Sequence, residues 1–376
     1  MAYLDGILHL FIVNHDENSQ RILQNNRIQR QMRDASNPFH LPDRLFLKLF
    51  RLDKQTTLDF IDSIRDHMAQ PLKGSKVPVH LRVLTAMHFF GHGSYQTGTG
   101  LQHPLAVSQP TVSRCIAEVS DVITRFLLNR WVKWPRTDDE KNSVKRGFRL
   151  LEPRLHNMLG VIDCTHIKII APSEEHPVHP AGPYYCRKGY YSINTQIIAD
   201  TNRIIRAINA RFPGSVHDAA IWSMSAVKRI LQNNFVQRND ENYLLGDSGY
   251  PLEPWLLVRY PHVIPGSPEE NFNATLSRIR TIIEHVNGLL KSRFRCLHEH
   301  RALHYNPRRA AKIIYSCAVL HNICRERNVP EPPNEDFPPV PPLRDNQDVH
   351  QIPRNNDWYR LGERLRQNIV ETHFQN

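Results

Sequence analysis

The chain has 376 residues, of which 40% are hydrophobic and 23% charged, a composition typical of soluble globular proteins. Lys and Arg number 48 against 37 Asp and Glu, so the net charge is +11. This excess favours a polyanionic partner, with nucleic acid ahead of a membrane surface, although charge alone also allows a basic soluble enzyme. No run of about 20 apolar residues occurs, so no membrane span is expected. The six cysteines form no CxxC pair, which predicts reduced thiols in an intracellular protein.

Residues 1–75 are predicted to form a basic helical region. Four arginines, Arg21, Arg27, Arg30 and Arg33, lie in a Gln/Asn-rich run, and apolar residues then recur at helical spacing. We interpret this region as a solvated arm followed by small packed helices.

Residues 76–150 are predicted to hold a helix-turn-helix and a connector. An apolar helix that ends at Gly91 and Gly93 is followed by a second helix, for which Ser108 is a good N-cap. The exposed N-terminal end of this second helix carries the candidate DNA-binding residues Gln109, Thr111, Ser113 and Arg114. Two helices of an ordinary bundle are the alternative interpretation.

Residues 151–327 change from helical to strand periodicity. Strands are predicted over 161–170, 190–199, 204–212 and 243–247, with helices over 216–231, 273–294 and 307–325. Three strands, a helix, a fourth strand and a helix follow the order of the ribonuclease H-like fold, so we predict an α/β catalytic domain of that class. Residues 328–356 are predicted to be a Pro-rich linker, and residues 357–376 a C-terminal helix.

Acidic residues stand at the positions where that fold places catalysis. Asp163 lies within the first strand, Asp247 at the end of the fourth, and Glu284 on a polar stripe of the long helix. A buried carboxylate needs a partner, and Mg²⁺ or Mn²⁺ held by several carboxylates would activate water for attack on a phosphodiester. Asp218 follows the third strand, either as a further metal ligand or as an acid favoured at a helix start.

Several motifs in one order resemble the PIF/Harbinger transposases and the nucleases derived from them. The motifs are Gly160-Val161-Ile162-Asp163-Cys164-Thr165-His166, Arg187-Lys188-Gly189 with Ser192, Asn194 and Gln196, Pro213-Gly214-Ser215-Val216-His217-Asp218, Leu245-Gly246-Asp247-Ser248-Gly249-Tyr250, Ile283-Glu284 with Ser292-Arg293-Phe294-Arg295-Cys296-Leu297, and Ala318-Val319-Leu320-His321-Asn322. The resemblance covers residues 75–326. It implies an acidic catalytic triad of Asp163, Asp247 and Glu284, with Asp218 as an additional metal ligand. It also implies action in the nucleus, assisted in DNA binding and import by a Myb/SANT-like protein.

The function predicted from the sequence is that of a divalent-metal-dependent DNA nuclease of the transposase type. It would hydrolyse phosphodiester bonds, with strand transfer as a further option. A catalytically silent host DNA-binding protein derived from a transposase is the alternative, and an RNA-processing enzyme is a weaker one. Without the implied partner, part of the protein is expected to stay in the cytoplasm.

Other clusters favour a structural interpretation. Cys317, His321 and Cys324 share one helix face, where core packing is favoured over a zinc site. His176 and His179 are interpreted as surface loop residues. An arginine cluster after the long helix is either a phosphate track or a solvated basic face, and it comprises Arg293, Arg295, Arg301, Arg308 and Arg309.

Overall fold

The architecture is that of a computed structural model, which describes residues 37–70, 77–93, 95–102, 105–331 and 357–375 and most of residues 20–35. The start of the predicted N-terminal arm, residues 1–19, and most of the predicted Pro-rich linker, residues 332–356, lie outside these ranges. Within them, no helix has the length and apolar character needed to cross a membrane. The chain divides into two compact units, Met1–Val119 and Ser120–Asn376. The finer five-part division stays a prediction.

Helices make up the first unit. They are α1 (Asp43–Phe50), α2 (Lys54–Arg65), α3 (Val79–His92), the short α4 (Gln96–Gly100) and α5 (Gln109–Val122), whose last residues belong to the second unit. Asp53 caps α2 by accepting a hydrogen bond from Thr56 N, and Gly93 ends α3 in the left-handed conformation. Aromatic and aliphatic side chains, among them Phe46 and Phe90, form the core of this unit.

An ion pair fixes α5 against α3. Arg82 Nη1 donates to both carboxylate oxygens of Glu118, at 2.5 and 2.6 Å. Arg82 Nη2 also donates to Ala69 O, and Glu118 Oε1 accepts from Ala69 N. Because charge-assisted hydrogen bonds are strong and directional, this network holds in place the helix that begins at Gln109.

A five-stranded sheet forms the centre of the second unit. Its strands are β1 (Met158–Lys168), β2 (Ser192–Ala199), β3 (Ile205–Pro213), β4 (Tyr243–Leu245) and β5 (Leu256–Leu257), in the spatial order β3-β2-β1-β4-β5. The first three strands are antiparallel neighbours, whereas β4 is parallel to β1 and β5 is parallel to β4. Every position of β2 is buried, so both faces of the sheet are covered at its centre.

The helices of the second unit surround this sheet. They are α6 (Leu128–Trp131), α7 (Asp138–Leu151), α8 (Asp218–Ser223), α9 (Ala226–Arg238), α10 (Pro268–Arg293), α11 (Pro307–Glu326) and α12 (Asp357–His373). Helices α7 and α10 pack against β1, and α11 packs against β3. This mixed α/β architecture confirms the predicted α/β class, and the ribonuclease H-like fold stays a prediction.

Helix α12 docks beside the edge strand β5. Arg366 Nη1 donates to Val258 O and Arg259 O, at 3.0 and 3.1 Å, and its guanidinium lies 3.7 Å from the centre of the Tyr260 ring. A side chain at Gly362 would approach the backbone of Glu253 within 2.8 Å. Only glycine therefore allows this helix to come so close to the chain before β5.

Three elements differ from the sequence prediction. The single helix expected over 216–231 is two helices, because Ser225 starts α9 by accepting a hydrogen bond from Val227 N. The segment interpreted as a connector contains α7, which a Thr137–Glu140 capping box starts. Strand β5 lies between the strand predicted over 243–247 and the helix predicted over 273–294, where the sequence indicates a loop, because two residues are too few for any periodicity.

Asn322 ties α11 to β3 through two hydrogen bonds and to α6 through a third. Its Oδ1 accepts from Ile205 N at 2.9 Å, and its Nδ2 donates to Ile205 O and Trp131 O, both at 2.8 Å. The side chain is fully buried. Since a buried amide must be satisfied within the protein, this residue specifies how the helix meets the edge strand of the sheet.

We predict that Asn322→Ala lowers the free energy of unfolding by about 1–3 kcal/mol, because three buried backbone groups lose their partner. Chemical denaturation followed by circular dichroism measures the change. Asn233→Ala, at an exposed position of α9, is the matched control and should be nearly neutral. Equal stabilities of the two variants would contradict this role of Asn322.

Candidate functional site

Strand register brings Asp163 and Asp247 to the same place in the sheet. Strands β1 and β4 are parallel, with Val161 opposite Leu245. Each aspartate stands two residues beyond that pair, Asp163 within β1 and Asp247 just after β4. Neighbouring parallel strands therefore deliver both carboxylates side by side.

Backbone N–H groups orient both carboxylates. Asp163 Oδ1 accepts from Cys164 N at 2.8 Å, and Asp247 Oδ1 accepts from Gly249 N at 3.0 Å. Asp247 is 9% exposed, and Asp163 is half-buried. The two acids are thus held by short local contacts and leave oxygen atoms for another partner.

Asp218 reaches the same region from the turn after β3. Asn194 on β2 donates through Nδ2 to Val216 O and to Asp218 Oδ1, both at 2.9 Å. The turn passes so close to β2 that a side chain at Gly214 would collide with Ser192 Oγ and the backbone of Tyr184. A glycine and a buried amide therefore position this third acid.

The electrostatics show that the three aspartates share one centre. Burial, together with the charges of Asp247 and Asp218, raises the pKa of Asp163 to about 7, although Arg280 opposes this increase. Burial also raises the pKa of Asp247, where Arg280 opposes the shift and Asp218 adds to it. Like charges brought together in a poorly solvated place disfavour ionisation of each group.

Arg280 is the countercharge of this centre. It lies on α10, and it lowers the pKa of Asp163, Asp247 and Glu284. Its Nε is buried and has no hydrogen-bond partner among the described residues. Sequence reasoning gives Arg280 no role, although its spacing of four residues from Glu284 puts it on the same polar stripe of the helix and was the available signal.

Glu284 stands one helical turn beyond Arg280. It is half-buried, and burial raises its pKa whereas Arg280 and His285 lower it. The structure therefore brings Glu284 next to the arginine that faces the aspartates. Its electrostatic partners are Arg280 and His285, and it does not join the mutual coupling of the three aspartates.

The donor set suits a hard divalent cation. Carboxylate oxygens are the ligands that Mg²⁺ and Mn²⁺ prefer, and such an ion would offset the repulsion that raises the pKa of Asp163. A buried amide oxygen, Asn194 Oδ1, has no partner among the described residues and lies beside Asp218. Across the described ranges, no three His, Cys, Asp or Glu side chains already stand in a ligating arrangement.

The predicted DNA-binding residues lie in the first turns of α5. Gln109 and Arg114 are exposed, whereas Thr111 and Ser113 are half-buried, and Arg114 Nη2 donates to Thr111 Oγ1 at 3.2 Å. The structure thus gathers all four at one helix end of the first unit. Their role in binding DNA stays a prediction.

The Cys317, His321 and Cys324 cluster is buried within α11. His321 Nε2 lies 2.8 Å from Arg203 O, and Cys317 Sγ lies 3.8 Å from Cys296 Sγ. His176 Nδ1 accepts hydrogen bonds from Val178 N and His179 N, so it organises its own loop. These contacts give both the cluster in α11 and the loop histidines structural roles.

We predict that Asp163→Asn raises the stability of the metal-free protein, because the buried charge is removed. A carboxyl with a folded pKa of about 7 against an ordinary value of 3.8 destabilises the fold progressively as pH rises through that interval. The gain should be roughly 1–2 kcal/mol near pH 8, discounted for partial exposure, and small near pH 4. Thermal unfolding in EDTA at both pH values measures it, with the exposed Asp139→Asn as control. A gain that does not depend on pH would contradict the raised pKa.

A comparison with protein families finds a match over this part of the chain. Residues 162–322 match the DDE superfamily endonuclease family, a range that includes Asp163, Asp218, Asp247 and Glu284. No solved structure matches the chain at a significant level.

Curated relatives match along most of the chain. The human protein named "Putative nuclease HARBI1" is 28% identical over 337 residues, which cover 88% of this chain and 91% of that protein. Its counterpart from Xenopus laevis is 26% identical over 317 residues, 84% of this chain and 86% of that protein. An ALP1-like protein from Arabidopsis thaliana is 25% identical over 300 residues, 74% of this chain and 70% of that protein. The chain is therefore homologous to "Putative nuclease HARBI1" and ALP1-like proteins, and its residues 162–322 match a DDE superfamily endonuclease domain.

Proposed function

We propose that the protein is a divalent-metal-dependent nuclease of the transposase type that hydrolyses phosphodiester bonds in DNA. The observation that carries this proposal is the meeting of Asp163, Asp218 and Asp247, from three separate chain segments, at one electrostatically coupled centre. That centre lies inside a domain related to endonucleases. Strand transfer uses the same site chemistry and is included in the proposal.

The proposed fold of the catalytic unit is ribonuclease H-like. Three antiparallel strands followed by two parallel ones, in the order β3-β2-β1-β4-β5, support this assignment. A long helix against β1, here α10, also fits it. In such an open sheet the acids meet where β1 and β4 run side by side.

In this proposal Asp163, Asp218 and Asp247 hold the metal, and Glu284 completes the catalytic set. When bound, the divalent metal would activate water and stabilise the charge that develops on the phosphodiester. Arg280 moderates the repulsion between the acids, because its charge lowers the pKa of both Asp163 and Asp247 against the effect of burial. The backbone N–H groups of Cys164 and Gly249 keep both carboxylates oriented.

The ligand role of Asp218 has specific support. Its Oδ1 is held by Asn194 and its charge acts on Asp163 and Asp247, which is how a site residue behaves. An acid that served only the helix start would instead point towards the N–H groups of its own helix.

DNA binding is proposed to involve the helix-turn-helix segment around α4 and α5 of the first unit. The exposed Gln109 and Arg114 are the candidates for contacts with base edges or phosphates. Action in the nucleus and assistance from a Myb/SANT-like protein remain part of the proposal, as the family resemblance implies.

We predict that purified protein cuts DNA with Mg²⁺ or Mn²⁺ and stops with EDTA. Alanine at Asp163, Asp247 or Glu284 should remove orders of magnitude of rate, because metal positioning is lost. Asp218→Asn should be similarly impaired and should recover partly with excess Mn²⁺. Initial rates on a labelled DNA substrate measure these effects.

The control for the cleavage series is Asp139→Ala, an exposed acid on α7 that should retain full activity. DNA binding and far-UV circular dichroism should be unchanged in the inactive variants. A wild-type protein that binds DNA but never cuts it with either metal would favour the silent host DNA-binding protein instead.

We also predict that Arg114→Ala weakens DNA binding by about 1–3 kcal/mol if the side chain contacts a base edge, or mainly flattens the salt dependence if it contacts phosphate. Fluorescence anisotropy across a salt series separates the two. Arg44→Ala, which removes an equal charge from the exposed face of α1, is the matched control. If both variants bound DNA identically, the DNA-binding surface would have to lie somewhere other than α5.

A further inference from the structure

The segment that connects β1 to β2 ends in a tight hairpin turn just before β2. We call residues 185–191 the hairpin tip. Tyr185 pairs with Tyr191 in an antiparallel bridge, Cys186 N donates to Tyr190 O at 2.9 Å, and Gly189 N donates to Cys186 O at 2.9 Å. Gly189 has a φ of +80°, which favours glycine. These bonds define a single backbone conformation for the tip.

Buried residues at its N-terminal end fix the tip to the domain. Cys186 is 1% exposed and Tyr184 is 3% exposed, and Pro183 O accepts from Ser215 N in the turn that delivers Asp218. In contrast, Arg187, Lys188 and Gly189 are exposed. The backbone of the tip is thus held in place, while two cationic side chains on it are exposed to solvent.

The tip lies close to the acidic centre. The ring of Tyr190 lies 6.4 Å from the ring of His166, which stands three residues beyond Asp163 on β1. Lys291 Nζ on α10 donates to His166 O at 3.3 Å, and burial and then the charge of Lys188 lower the pKa of Lys291. The exposed Arg187 and Lys188 beside this partly buried lysine create a positive potential that favours an anion.

An exposed aromatic ring accompanies the cations. Tyr185 is 52% exposed, although its ring is held at 5.2 Å and 66° against the ring of Tyr191. Lys168 Nζ lies 5.3 Å from the ring of Tyr190 on the other side of the tip. Proteins that bind single-stranded nucleic acid stack unpaired bases on exposed aromatic rings next to cationic side chains. Tyr185, which packs against Tyr191 and faces solvent, is a ring of this kind.

We propose that the hairpin tip binds an unpaired stretch of the DNA substrate next to the acidic centre, with a base stacked on Tyr185 and phosphates at Arg187 and Lys188. An unpaired strand is favoured over intact duplex because stacked base pairs cover the base faces that Tyr185 would contact. The proposal rests on the proposed nuclease function for its biological meaning. Arg187 and Lys188 are positioning residues within it.

The test measures binding of the full-length protein in EDTA, so that it does not require cleavage. The probes are a fluorescent duplex with unpaired arms and the same duplex fully paired. Tyr185→Ala should weaken binding of the armed duplex by about 5- to 100-fold, whereas Tyr185→Phe should retain it, since stacking alone is needed. Lys188→Ala should reduce the salt slope by about 0.7 on the armed duplex.

Arg229→Ala, which removes an exposed charge from α9, is the matched control and should leave the binding of both probes unchanged. Melting temperatures confirm that each variant is folded. Unchanged affinity for the armed duplex in both Tyr185→Ala and Lys188→Ala would overturn the proposal, as would an equal loss on the paired duplex. Failure of the nuclease function would instead appear as an absence of cleavage with Mg²⁺ and Mn²⁺ while this binding pattern persists.

Discussion

Mutual repulsion between three aspartates is the constraint around which the second unit is arranged. Carboxylates that are poorly solvated and close together lose protons less readily, which raises the pKa of Asp163 to about 7. The fold accepts this unfavourable arrangement at one position and compensates for it locally. Arg280 supplies a positive charge from α10, and two backbone N–H groups satisfy one oxygen each of Asp163 and Asp247. Natural proteins commonly give up stability at functional sites in this way.

The rest of the sheet fixes the positions of the three aspartates. The parallel register of β1 and β4 places two of the acids, and Asn194 on β2 secures the third through the turn after β3. On the far side of the sheet, Asn322 fastens α11 to the start of β3 with hydrogen bonds to both backbone groups of Ile205. A buried amide thus stands at each end of the antiparallel strands β1 to β3. At these ends a polar side chain can satisfy backbone groups that have no hydrogen-bond partner on a neighbouring strand.

Much of this could be predicted from the sequence, for identifiable reasons. An aspartate in a run of β-branched residues is conspicuous, so Asp163 and its strand were predictable, and α10 and α11 are long enough for clear periodicity. The role of Asn194 was not predictable, because a polar residue within a strand does not reveal which turn it will contact. Helix α7 is rich in charge and β5 has two residues, so hydrophobic pattern indicated neither. Arg280 was visible on a polar stripe, but only the packing of α10 shows what it faces.

The docking of α12 has a consequence for one edge of the sheet. Strand β5 forms that edge, and an edge strand offers unpaired backbone groups to strands of other molecules. Arg366 occupies the carbonyl oxygens of Val258 and Arg259 just after this strand, and Gly362 lets the helix lie against the chain just before it. The C-terminal helix therefore covers this edge of the sheet. Chains that lack the helix would expose a surface suited to intermolecular strand pairing and aggregation.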